Sequence, residues 1–534
     1  STEATVESTE EAVEATAEPT EEATAEPTEE ATTEPTEEAT AEPTVEATEE
    51  ATAEPTEEAT EEPTVEATEE ATAEPTVEPT VEPTVETLIE EADDVSGQAA
   101  TNAAYTSKLY VFNPNGSSVS WSIDFYPDGG GASTSFTGSN LASNASTTVD
   151  VSSVSMSDGR YSAVISSDDE LGVTFAQIAS GNTGDFGFDS GIIDQSDTYF
   201  IPSIANSLGS KKLSSLIGIQ STSGTVNIVV QFLDASGNSA GKITRNNVSE
   251  NYATYIDVAT NTLDGGGKLP DDFSGAAKIT ATGNIVATSM IRSENGESSN
   301  ATNGLATGGS TVYLPTAQRN FGSQLFSSFT ALQNPNTSSI YYEVEYFNTS
   351  GKKSGSTLKG TLAAGEKGNA HPSTAGVPNG FLGSGVVKAW TSNAKTTPAD
   401  ILAIVNIGSS SVPNANFSFN GCTDGSTKVV VPYVSWGDSS TEIKTTLAFQ
   451  NIGSGNASGN IFYYNSSGSQ VNKTTFSGLT AGSKTNSKPL DWNGDKDFSG
   501  SVVVTANQPL CALVNVSRVD NRYKASFLGV PVTP

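Results

Sequence analysis

Side chains able to do chemistry are thinly spread along this chain, and the densest group is the loop Asp491-Trp492-Asn493-Gly494-Asp495-Lys496-Asp497. Asp491, Asn493, Asp495 and Asp497 put oxygen-bearing side chains at i, i+2, i+4 and i+6. From that spacing a flexible loop can turn several oxygens onto Ca²⁺, which takes about six to eight of them. The loop departs from the EF-hand pattern, with Lys496 where Gly belongs and Val502 where the bidentate Glu belongs. A solvated acidic turn is the simpler reading, and Ca²⁺ is the one cofactor the sequence raises. His371 is the only histidine, so a multi-His metal site is excluded. A Ser-His-Asp triad would have to use it, and it sits in the loop-like Gly368-Asn369-Ala370-His371-Pro372. Asp168/Asp169 and Asp271/Asp272 are adjacent carboxylates, which in a strand point to opposite faces. The glycine clusters at 129–131 and 265–267 are turn material, with no helix following to seat a phosphate. The chain reads as a non-enzyme.

Cys422 and Cys511 are the only cysteines. Paired around the last part of the chain they suit an oxidising compartment; separately they would be two small buried hydrophobes. Sequons abound, Asn336, Asn348 and Asn465 among them, and they permit N-glycosylation without demonstrating it. Trp121, Trp390, Trp436 and Trp492 offer stacking platforms for a glycan, although their scatter favours sheet packing.

The elements that must position these groups recur four times. Strand-like runs end in turns at Phe112-Asn113-Pro114-Asn115-Gly116, Ile219-Gln220-Ser221, Leu332-Gln333-Asn334-Pro335 and Phe449-Gln450-Asn451-Ile452-Gly453. An aromatic or apolar pair and a second turn follow, at Phe125-Tyr126-Pro127-Asp128, Phe232-Leu233-Asp234, Tyr346-Phe347-Asn348 and Tyr463-Tyr464-Asn465. A period of roughly 100–115 residues exceeds a solenoid unit and matches a small β domain. Short Val/Ile/Thr/Tyr runs between Asn/Gly/Ser turns predict antiparallel strands. Each repeat meets an apolar-Pro run: Phe200-Ile201-Pro202, Tyr313-Leu314-Pro315, Val430-Val431-Pro432 and Gly529-Val530-Pro531. Pro confines such a run to an edge or a junction. Read as closing its own repeat, it sets boundaries at 95–203, 204–316, 317–428 and 429–534. Read as opening the next, it leaves the first repeat one strand short and 527–534 spare for exchange with another subunit.

Residues 1–94 differ in kind. They hold 34 of the 64 acidic side chains and no Lys or Arg, which leaves 30 acids against 25 bases in the remainder. Almost all of the −39 net charge therefore sits in this segment, with −5 left for the remainder, and nucleic acid is not an expected partner. Thr recurs at every fourth position from Thr16 to Thr84. A helix would stack Glu on Glu at i,i+4 and meet Pro every few residues, at about 3 kcal/mol each. The expectation is a disordered, solvated tail reaching on the order of 290 Å at roughly 3.1 Å per residue. Thr16, Thr20, Thr28, Thr36 and Thr44 are candidates for mucin-like O-glycosylation. No apolar run approaches the roughly 20 residues of a membrane span.

The Asn-Pro turn, the Tyr/Phe-Asn-x-Ser-Gly turn, Asp497-Phe498-Ser499-Gly500-Ser501-Val502-Val503 and Gln508-Pro509-Leu510-Cys511 resemble repeat modules of bacterial cell-surface proteins of the surface-layer, sheath, fibre and adhesin type. The resemblance covers residues 106–534. The fold class expected is all-β: four tandem immunoglobulin-like β-sandwich domains behind an acidic Thr/Glu/Pro/Ala-rich tail. The function implied is a secreted, cell-surface structural subunit of an array, sheath or filament, with homo-oligomeric head-to-tail contacts and envelope glycans as partners. The alternative is a monomeric adhesin or glycan-binding protein on a spacer.

Overall fold

The computed structural model describes residues 105–179, 186–293, 299–412, 415–437, 443–493, 497–518 and 524–533. The described residues are all-β, 63% strand and 2% helix. Burial alternates along the strands as a half-buried pleat requires. In Ser214–Ser221 the residues Ser215, Ile217, Ile219 and Ser221 are buried, and in Val226–Leu233 so are Val226, Ile228, Val230 and Phe232. Each such aliphatic or aromatic side chain taken from water stabilises by about 1.5–3 kcal/mol.

The third repeat shows the plan most fully. One sheet runs Thr311–Arg319, Phe381–Trp390, Ile340–Asn348, Lys353–Leu362, and a second runs Lys367–Ala370, Phe326–Gln333, Leu402–Ser409, Phe417–Asn420. Every pairing is antiparallel. Val312, Leu314, Val344 and Val387 of the first sheet share one core with Leu332, Ala403 and Val405 of the second, so the two sheets pack face to face. In the second and fourth repeats the long strands Phe273–Arg292 and Phe498–Arg518 run through both sheets and fuse them into one hydrogen-bonded set. The first repeat has the four-stranded sheet Ser146–Asp150, Tyr105–Phe112, Gly172–Ala179, Phe186–Ser190. Among the described residues its other sheet has three strands, Thr134–Thr137, Trp121–Pro127 and Tyr161–Ser167.

The apolar-Pro strands open the following repeat. Ser196–Asn206, which contains Pro202, pairs with Phe273–Arg292; Thr311–Arg319 pairs with Phe381–Trp390; Ser426–Trp436 pairs with Phe498–Arg518. Boundaries at 203/204, 316/317 and 428/429 therefore cut through strands, and the divisions fall in the loops before them. The register shifts at each Pro, between Ile201 and Ile204, Leu314 and Ala317, Val431 and Val434. A ring without an N–H cannot keep the ladder unbroken. The fourth apolar-Pro run is different. Val530–Pro531 pairs with Val429 and Val430 of its own repeat, and Lys524–Leu528 pairs with Leu513–Ser517. Residues 527–531 are thus engaged within the chain and are not spare.

The Gly-centred landmarks have a steric cause. A Cβ on Gly275, Gly383 or Gly500 would fall 2.2, 2.1 or 2.0 Å from the backbone oxygen of Leu233, Phe347 or Tyr464. The rings of Phe273, Phe381 and Phe498 also lie over these positions, so only hydrogen fits.

Candidate functional site

The polar groups that converge in this structure lie where repeats meet. Asn113, Asn334 and Asn451 are fully buried. The Asn334 amide donates to the carbonyls of Ser338, Leu362 and Ala363, and its Oδ1 accepts from Asn336 N. Asn113 and Asn451 do the same with Leu141 and Leu479. In the second repeat Ser221 stands at this place. These side chains pin a loop whose tip has positive φ: Asn144 at 56°, Asn251 at 69°, Gly365 at 75° and Gly482 at 77°. Asn and Gly are the residues that tolerate this conformation. The sequence showed the asparagines as turn formers; their role as buried clamps needed the tertiary structure.

Each pinned loop receives the preceding repeat. Gly237 sits against Ala364, Gly365 and Glu366, and Lys367 N donates to Ala235 O at 3.0 Å. Gly351 abuts Thr480, and Ser384 Oγ donates to Gly482 O at 2.7 Å. The fourth repeat docks on the first in the same way: Gly468 lies against Ser143, Asn144 and Ala145, and Ser146 N donates to Ser466 O at 3.1 Å. Between the first and second repeats Ser162 Oγ donates to Asn251 O at 2.7 Å, and Tyr126 packs edge-on to Tyr252 at 5.1 Å. The junctions run first to second, second to third, third to fourth and fourth to first. They form a closed circuit.

The last strands of the repeats, Phe186–Ser190, Ser299–Asn303, Phe417–Asn420 and Lys524–Leu528, pack on one another around the centre of that circuit. Their hydrogen bonds run in one sense. Asn303 Nδ2 donates to Ser190 O at 3.0 Å, Asn420 Nδ2 to Asn303 O at 2.7 Å, and Ser190 Oγ to Leu528 O. Leu528 has no donor to offer in turn, and the fourth bond comes from Ser526 Oγ to Ser418 O at 2.8 Å. Asp189, buried beside them, accepts from Ser190 N at 2.8 Å through Oδ1, while Oδ2 has no partner among the described residues. Burial pushes its carboxyl up to about 7, against the backbone N–H groups of Ser190 and Asn303.

Two lysines are buried at equivalent places. Lys484 Nζ reaches Thr316 Oγ1 across the third-to-fourth junction, and burial pushes its ammonium down to about 7. Lys367 Nζ reaches Ser274 Oγ and Gly275 O across the second-to-third junction, and burial lowers it to about 8. Neither is in an ion pair among the described residues.

The residues singled out by the sequence are dispersed. Leu490–Asn493 turns as a helix, which places Asp491 and Asn493 about 200° apart around its axis rather than on one face. Asp491 instead accepts from Lys488 N and pairs with its ammonium at 3.8 Å. Asp495 lies outside the described residues, Asp497 follows them, and no cluster of three metal-ligating side chains occurs among the described residues. A disulfide joins Cys422, just beyond the last strand of the third repeat, to Cys511 in the fourth. Asn336 Nδ2 is bonded to Asn334 Oδ1 and Asp400 O, while Asn348 and Asn465 accept from the backbone of their own turns. Thr16, Thr20, Thr28, Thr36 and Thr44 lie outside the described residues, as does all of 1–94. His371 Nδ1 accepts from Ser373 N, and burial followed by Arg319 lowers its pKa. Trp121 packs on Phe136, Trp390 on Tyr341, and Trp492 on Tyr463 and Phe498; Trp436 lies under Lys444. No helix among the described residues is long and apolar enough to cross a membrane.

No protein-family model matches the chain, and no curated protein matches it.

Proposed function

We infer that this chain is a non-enzymatic extracellular structural protein. Its four immunoglobulin-like β-sandwich repeats act as one closed head, with residues 1–94 as an acidic, O-glycosylated spacer at the cell surface. The observation that carries the reading is the docking of the fourth repeat on the first through Ser146 and Ser466, Gly468 and Asn144. A head-to-tail polymer would use that same docking between subunits, and here it is satisfied within one chain. Display on a spacer is therefore favoured over a filament built through repeat-type contacts. An array would have to use other faces of the head.

Light scattering and negative-stain electron microscopy of the full chain test this reading. The expected result is a monomer with a compact four-lobed head at micromolar concentration. Ordered filaments, or open rods of four beads, would overturn it.

A further inference from the structure

Among the described residues, the first repeat offers a strand's worth of backbone with no partner strand. Tyr161–Ser167 pairs with Trp121–Pro127 on one side and with no strand among the described residues on the other. Asp128 N donates to Arg160 O and Asp168 N to Ser120 O, which fixes the alternation of the ladder. Even-numbered residues bond to Trp121–Pro127, so Tyr161, Ala163, Ile165 and Ser167 turn their N–H and C=O groups to the open side. In the other three repeats this side is filled by Ser196–Asn206, Thr311–Arg319 and Ser426–Trp436.

A second, independent observation lies across the junction. Each opening strand also covers the next repeat: Thr311–Arg319 packs on Ile443–Asn451, and Ser426–Trp436 on Tyr105–Phe112. The face of the second repeat that would receive such a strand is only half-buried at Gly218, Gln220, Val286 and Thr288. The equivalent Ala331 and Leu402 of the third repeat, and Ala448 and Cys511 of the fourth, are buried. One strand, absent from the described residues, accounts for both the open edge and the open face.

The chain's own sequence does not suit the place. Tyr199, Val312 and Val429 lie 21 residues before Gln220, Gln333 and Gln450, and all three are buried in the core. The same interval before Phe112 leads to Glu91. Two positions on, Ile201, Leu314 and Val431 correspond to Asp93. Unpaired carboxylates at both core positions would be strongly unfavourable.

We propose that the edge of Tyr161–Ser167 is an acceptor for an extended polypeptide strand donated by a second protein. The donated strand carries apolar side chains at alternate positions followed by Pro, the pattern of the three resident opening strands. Its backbone completes the sheet of the first repeat, its inward side chains complete that core, and its outer face covers Gly218 and Thr288. The copies of this chain do not supply it from their described residues, because all three opening strands and 527–531 are already paired. This goes beyond the closed-head reading, since a monomeric head either accepts a strand or does not.

The test titrates the full chain with a fluorescent peptide carrying the sequence of Ser196–Asn206, alongside the same peptide with Ile201→Asp. Amide exchange of residues 161–167 is followed in parallel. The expected result is saturable binding, about tenfold or more weaker for the Asp peptide and for the Ala163→Pro chain, with exchange at Ala163 and Ile165 slowed by the parent peptide. Should Ala163→Pro disturb folding, the peptide pair and the exchange data decide alone. Absence of saturable binding would overturn the proposal. So would exchange at Ala163 and Ile165 in the free chain as slow as at Gly385 and Val387, because the edge would then already be paired.

Discussion

The side-chain amide of Asn420 donates to the backbone carbonyl of Asn303 at 2.7 Å, joining the last strands of the third and second repeats near the centre of the circuit. Asn303 makes the same bond one step back, to Ser190. At the corresponding place in the fourth repeat stands Leu528, and Ser526 supplies the bond from two residues earlier. Replacing Asn420 by Leu copies the natural Leu528, but the hydroxyl two residues earlier, on Ser418, already donates to Asn406 Oδ1 at 2.6 Å. The substitution is expected to leave the half-buried Asn303 carbonyl unpaired and to cost about 1–3 kcal/mol. Denaturant unfolding of N420L against the parent measures this.

Lys484 gives the third-to-fourth junction a pH dependence. Its ammonium has a pKa of about 7 in the folded chain against an ordinary 10.5. Between these values the unfolded chain holds a proton that the folded chain has lost, so stability rises with pH across this window. The rise is on the order of 5 kcal/mol. Lys484→Met removes the titration, and its melting temperature is expected to be flatter from pH 7 to 10 and higher than the parent's at pH 6.

Asp189 works in the opposite sense. Its carboxyl is raised to about 7 from 3.8, so the folded chain holds the extra proton between these values and stability falls as pH rises through them. Asp189→Asn keeps the acceptor for Ser190 N and abolishes ionisation. It is expected to match the parent at pH 4 and to exceed it at pH 8, read from thermal melts at the two pH values.

The disulfide between Cys422 and Cys511 spans 89 residues and ties the end of the third repeat to the fourth. Reduction, or the double substitution C422S/C511S, is expected to cost about 2–4 kcal/mol. Both residues are buried where the repeats meet, so amide exchange should quicken first around Phe417–Asn420 and Leu510. Uniform quickening along the chain would contradict a junction-specific role.

Much of the β architecture was legible because local rules decide it. Alternating burial in Val226–Leu233 and the turns at Asn348 and Asn465 follow from the residues in place. Strand ownership was not. Phe200-Ile201-Pro202 is equally good as a last or a first strand, and only its partner, Phe273–Arg292, settles which. The acidic loop shows a related limit: its oxygens are well spaced along an extended chain, but Trp492 packs on Tyr463 and Phe498 and Leu490–Asn493 is a helical turn, while Asp495 lies outside the described residues. Closure of the fourth repeat on the first left no mark in the sequence. Ser146, Ser466 and Gly468 are ordinary turn residues until they meet.

Because the four junctions form a loop without a free end, breaking any one of them does not separate its two partners. The remaining three contacts keep the parted surfaces tethered at high effective concentration, and rejoining is a first-order event within one molecule. Such a head tolerates intermittent local opening, under shear or thermal fluctuation, and heals without needing to find its partner again.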